Sequence, residues 1–131
     1  MLKRTIEFTD YNGVQRKEDF YFNLNQAEIT EWELSLDGGL MEHINRISAA
    51  QDGPEIVQLF KDVILKTYGE KSPDGRRFIK TQELRDNFTQ TEAYSILFMD
   101  LSSDADKAAE FIRGVLPVEL LALVDEAEAK K

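Results

Sequence analysis

"LKRTIEFTDYNGVQRKEDFYF", running from Leu2 to Phe22, decides the fold class. Leu2, Ile6 and Phe8 recur every second residue, with Arg4 as the one polar interruption, which is the spacing of a half-buried strand. Asn12-Gly13 follows Asp10-Tyr11, and Asn-Gly tolerates the positive φ angles of tight hairpin turns. The return strand, Val14 to Phe22, ends in Phe20-Tyr21-Phe22, and the period of two places Phe20 and Phe22 on the face of Ile6 and Phe8. A lone two-stranded hairpin is marginal in water, so its apolar face must lie on something helical.

The remainder of the chain supplies helices. Asn25 with Glu28 three residues on reads as a capping box, opening a helix that carries Ala27, Ile29, Trp32 and Leu36 and stops at Gly38-Gly39. A second run, Leu40 to Ala50, aligns Leu40, Ile44 and Ile47. Asp52-Gly53-Pro54-Glu55 starts a third, because proline at the first helical position loses no hydrogen bond. Ile56, Leu59, Phe60, Val63, Ile64 and Thr67 then share a broad face, and Gly69 ends the helix. Lys71 to Arg77 is a turn-rich loop in which Arg76 and Arg77, with Lys71 and Lys80, form a small basic patch. Phe78-Ile79-Lys80 reads as a short extended stretch and Thr81 as a helix entry. Thr89 to Leu101 is expected as one helix bearing Tyr94, Leu97, Phe98 and Leu101, with Ser102-Ser103-Asp104 breaking and capping. Ala105, Ala108, Ala109, Ile112 and Val115 form the next stripe, and Pro117 opens a last helix from Val118 to about Ala127. The expectation is one domain over residues 1–131, of class α+β: a hairpin over 1–22 on a mostly helical bundle over 25–127.

Composition narrows the function. The 131 residues are 42% hydrophobic and 31% charged, an ordinary globular balance with no cysteine for disulfides or thiolate metal sites. No apolar run approaches the ~20 residues of a membrane span, and the basic N-terminus lacks an apolar signal core. Net charge is −9, concentrated between Tyr21 and Phe60, where Arg46 alone faces seven acidic residues. Such a surface repels phosphates and argues against nucleic acid. It serves either as a solvating face or as a dock for a basic partner.

Chemistry is sparse. His43 is the only histidine, and no His-x-x-x-His or Glu-x-x-His spacing accompanies it. Asp104-Ala105-Asp106 lacks the further ligand and the glycine of a calcium loop. No glycine-rich phosphate loop or nucleophile elbow is present. The reading is a non-enzyme with no metal and no cofactor. The stretch Leu116 to Val124 is apolar nearly all the way round as a helix, so it either closes the core or meets a partner helix or a second copy.

Arg77-Phe78-Ile79-Lys80, then Phe88-Thr89-Gln90-Thr91-Glu92-Ala93-Tyr94-Ser95 with Leu97-Phe98, then Ala109 to Pro117, resemble tail assembly chaperones of long-tailed bacteriophages. The similarity is best from about Gly75 to Pro117. The resemblance implies a protein that binds the tape measure protein, a long, largely helical chain, and keeps it soluble. Tail tube subunits then polymerise around that client. It implies action in the host bacterial cytoplasm and absence from the finished virion. The expected partners are the tape measure protein, the tail tube protein and another copy of the chain, with no nucleic acid and no membrane. The expected partner-binding residues are Phe111, Val118, Leu120, Leu121, Leu123 and Val124. A structural tail-completion or connector protein is the alternative, and an enzyme using a carboxylate pair is a third reading.

Overall fold

A computed structural model describes residues 1–40, 42–43, 46 and 53–115. Strands β1 (Leu2–Thr9) and β2 (Gln15–Phe22) form the expected antiparallel hairpin, in a register that sets Leu2 opposite Phe22 and Thr9 opposite Gln15. Asp10 builds the turn: its Oδ1 accepts from the amides of Asn12 and Val14, both at 2.9 Å, and Gly13 adopts φ 78°. That left-handed conformation is why glycine occupies the position.

The sheet is larger than the sequence suggests. Tyr68–Lys71 (β3) pairs with the end of β2, and Phe78–Ile79 (β4) pairs with β3, giving four antiparallel strands in the order β1-β2-β3-β4. Gly69 therefore does not end a helix; it lies within β3, opposite Tyr21. A Cβ at Gly69 would stand 2.7 Å from the Ile79 carbonyl oxygen and 2.8 Å from the Phe78 ring. Only glycine lets β4 come this close.

One face of the hairpin is polar and paired across the strands. Thr5 donates to Asp19 at 2.6 Å, Gln15 donates to Thr9 at 2.8 Å, and Lys17 lies 3.7 Å from Glu7. The other face carries Ile6, Phe8 and Phe22, all buried, with Leu2 and Phe20 packed beside them. Phe20 and Phe22 thus share the face of Ile6 and Phe8, as the alternation requires.

Five helices are described: α1 (Gln26–Leu34), α2 (Gly53–Thr67), α3 (Gln82–Thr89), α4 (Glu92–Ser103) and α5 (Ala105–Val115). Their starts follow the local chemistry. Asn25 and Glu28 make the reciprocal capping box of α1, Thr81 Oγ1 accepts from the Leu84 amide, and Thr91 Oγ1 accepts from the Tyr94 amide. The expected helix from Thr89 to Leu101 instead begins at Glu92, because Thr91 caps it and α3 ends at Thr89. Asp104 leaves the helical conformation and accepts from the Lys107 amide, which separates α4 from α5. Most of the expected Leu40–Ala50 helix, and all of the one beyond Pro117, lie outside the described residues.

The core joins sheet to helices through aromatic rings. Phe22, fully buried, sits 5.1 Å from Phe111, 5.8 Å from Tyr68 and 6.0 Å from Phe88, and Tyr68 stacks on Phe88 at 4.2 Å. Leu59, Val63 and Ile64 of α2, with Leu97 and Leu101 of α4, complete it. Leu24, Ile29 and Leu40 form a smaller satellite cluster, bridged to the main core by Trp32.

Candidate partner-binding surface

The carboxyl end of α2 is held by donors from three segments. Arg85 Nε donates to the Leu65 carbonyl (2.9 Å), Lys80 Nζ to that of Lys66 (2.8 Å), and the Asn23 amide to that of Thr67 (2.8 Å). These carbonyls have no partner within the helix, and positive charge is favoured beside them. Lys80 also donates to the Asn23 carbonyl and to Glu28 Oε2, each at 2.6 Å, with its side chain only 8% exposed. Burial pulls the Lys80 ammonium below its ordinary pKa of 10.5, against the opposing pull of Glu28. The basic patch expected at Lys71, Arg76, Arg77 and Lys80 therefore loses Lys80 to the interior. Lys71, Arg76 and Arg77 stay exposed, and Lys71 lies 4.4 Å above the Tyr21 ring.

Beside this point a groove of about 530 Å³ runs between α2, α3 and α4. Val57, Leu65, Tyr94 and Phe98 give it apolar walls, and Lys61 and Arg85 add positive charge. Val57 is 47% exposed although it follows Ile56 on a strongly patterned helix. The helical spacing assigns Tyr94 and Phe98 to the core stripe of their helix; both are only half-buried. Val57, seven residues before Ile64, continues the edge of the α2 face, so spacing alone does not mark it as open.

Among the described residues, the carboxyls whose pKa values are displaced are Asp10 and Asp74, both held below 3.8. Arg16 and the turn amides do this to Asp10, and Ser72 with the Arg76 amide does it to Asp74. Among the described residues no cluster of three or more histidine or acidic side chains is placed to hold a metal. His43 Nδ1 lies 3.1 Å from Arg46 Nη2.

Of the residues expected to touch a partner, Phe111 is 1% exposed and packs edge-on against Phe22, so its ring is part of the core. Val118, Leu120, Leu121, Leu123 and Val124 lie outside the described residues. The chain leading to them is fixed: the Leu24 amide donates to the Val115 carbonyl at 3.1 Å, and a Cβ on Gly114 would meet Leu2 at 2.9 Å.

A family model described as phage tail assembly chaperone matches residues 1–131, the whole chain. The chain belongs to the phage tail assembly chaperone family. No curated protein and no solved structure is significantly similar to it. The family assignment extends the resemblance between Gly75 and Pro117 to the hairpin and α1. A tail assembly chaperone works in the host cell on tail proteins, which accounts for a molecule whose clearest features are grooves and patterned faces. No helix among the described residues is long and apolar enough to cross a membrane.

Proposed function

We propose that this tail assembly chaperone acts without catalysis by binding the tape measure protein, keeping it soluble while tail tube subunits assemble around it. The whole-chain family match carries the general role. The client is inferred from the needs of that role, since a long amphipathic helical chain requires cover for its apolar face until the tube encloses it. The contact proposed is hydrophobic exchange by Val118, Leu120, Leu121, Leu123 and Val124, continuing from the anchored end of α5. Burying each such side chain contributes roughly 1.5–3 kcal/mol, so a handful supports micromolar binding after the cost of association. Phe111 takes the role of anchor. The net charge of −9 keeps the complex dispersed.

Co-expression tests the reading: the soluble yield of a tape measure protein should rise with this chain and fall back with a folded Leu120→Asp, Leu121→Asp variant. An unchanged yield, where an established chaperone raises it, would refute the client assignment. Mass spectrometry of purified particles should find the chain missing; its stoichiometric presence would favour a structural tail component.

A further inference from the structure

The sheet has two edges of very different character. β4, at one edge, spans two residues and offers little to pair with. β1, at the other, spans eight, and among the described residues no strand pairs with its outer side. A long unpaired edge is a template for another strand unless something covers or blunts it.

The direction of the free backbone groups follows from the turn. The Asp10 amide donates to the Val14 carbonyl at 2.9 Å, so Asp10 and Val14 are a hydrogen-bonded pair. Hydrogen-bonded and non-hydrogen-bonded pairs alternate along an antiparallel ladder. Phe8–Arg16, Ile6–Glu18, Arg4–Phe20 and Leu2–Phe22 are therefore the bonded pairs of the observed register. The amides and carbonyls of Lys3, Thr5, Glu7 and Thr9 point away from β2, toward the open edge, and the side chains of these four residues are exposed.

We propose that this edge pairs with the β1 edge of a second copy, antiparallel about a two-fold axis through Thr5. In that register Thr5 faces Thr5 of the other copy and Lys3 faces Glu7 twice, each pair exchanging both backbone bonds. The neighbouring registers that keep the same residues in bonded pairs lack this match. A shift one way sets Lys3 opposite Thr5, a shift the other way sets it opposite Thr9, and a further shift sets Glu7 against Glu7. Charge complementarity selects one register, because opposite charges facing across strands stabilise and like charges destabilise. Glu7 already lies 3.7 Å from Lys17 of its own hairpin, so pairing would extend an alternating row of charge across the joint.

The surroundings of the edge fit a second copy. A groove of about 390 Å³ runs between β1 and α4, lined by Arg4, Ile6, Ile96 and Asp100 among others. Ile96 is 36% exposed there and Met99, three residues on along α4, is 58% exposed. α4 packs on β1, so joining two β1 edges brings two α4 helices alongside and covers these side chains. An isologous joint of this kind closes on itself as a dimer and leaves no long edge open. The inference does not depend on which client the chaperone holds.

Sedimentation equilibrium of the purified chain over a range of concentrations tests it. The expected result is a reversible monomer–dimer equilibrium. Thr5→Pro removes an outward-facing amide and leaves the β1–β2 bonds intact, so it should abolish the dimer while circular dichroism stays unchanged. Lys3→Glu alone and Glu7→Lys alone should each weaken self-association at least about tenfold, since each places two like-charge pairs in the joint. An equal mixture of these two variants should recover dimers. In the mixed species one strand carries acid at positions 3 and 7 and the other carries lysine at both, so each facing pair is again of opposite charge. A chain that stays monomeric at all concentrations would overturn the proposal. So would oligomers that ignore both single charge reversals, or a mixture that fails to recover.

Discussion

Lys80 Nζ lies 2.6 Å from Glu28 Oε2, while Glu28 Oε1 accepts from the Asn25 amide at 3.2 Å. One carboxylate therefore closes the capping box of α1 and neutralises the ammonium that caps α2. The small α1 cluster is fastened to the main body through this residue and through Trp32, whose ring lies 5.2 Å from Lys66 Nζ.

Lys80→Met should destabilise the chaperone by about 2–4 kcal/mol, because it leaves the Asn23 and Lys66 carbonyls and the Glu28 carboxylate without their shared donor. Urea unfolding monitored by circular dichroism gives the value. A loss under ~1 kcal/mol would mean that water replaces the ammonium at no cost.

Gly69→Ala should cost about 1–3 kcal/mol, the range for overpacking, since the new methyl would press on the Ile79 carbonyl and the Phe78 ring. Amide exchange should locate the damage at β3 and β4. If Gly69 merely terminated α2, exchange there would be unchanged.

Alkaline stability should depend on Tyr68. Burial, with Glu70 and Glu18 adding to it, pushes its hydroxyl up to about 12 from an ordinary value of 10.0. Between these values the unfolded chain releases a proton that the folded chain keeps, so stability falls as pH rises, by up to about 1.4 kcal/mol per pH unit. Lys80 acts with the opposite sign: its lowered pKa makes stability rise with pH up to about 10.5. Comparing Tyr68→Phe with the parent cancels Lys80, and the variant should lose less stability between pH 10 and pH 12. Parallel curves would contradict this.

Phe111→Ala should behave as a core truncation, costing about 3–5 kcal/mol, whether or not a client is present. Leu120→Asp, Leu121→Asp should leave the unfolding midpoint in place and lower client yield. A Phe111 variant that folds normally but loses the client would move this residue from the core to the binding surface.

Much of this fold is written locally. The hairpin follows from alternation between Leu2 and Phe8 and from Asn12-Gly13, and α2 from the spacing between Ile56 and Thr67. Asn25, Thr81 and Thr91 announce helix starts because a side-chain oxygen three residues before an orphan amide is a sequence-local event. β3 and β4 are not legible in this way. Tyr68-Gly69 continues directly from α2, β4 has two residues, and their pairing depends on segments far apart in the chain. Lys80 is equally hidden. A lysine is ordinarily a surface residue, and its burial needs acceptors at Asn23, Glu28 and Lys66 that no single window contains. The groove at Val57, Tyr94 and Phe98 is half visible, since the period marks which residues are apolar and only packing decides which stay open.

The contact of β1 and β2 with helices from the far end of the chain sets an order of events during synthesis. Ile6, Phe8 and Phe22 emerge from the ribosome first, and Phe88, Leu97 and Phe111 leave it much later. For that interval the nascent hairpin carries an uncovered sticky face in a cell crowded with other newly made chains. A member of a chaperone family thus passes through a folding hazard of its own.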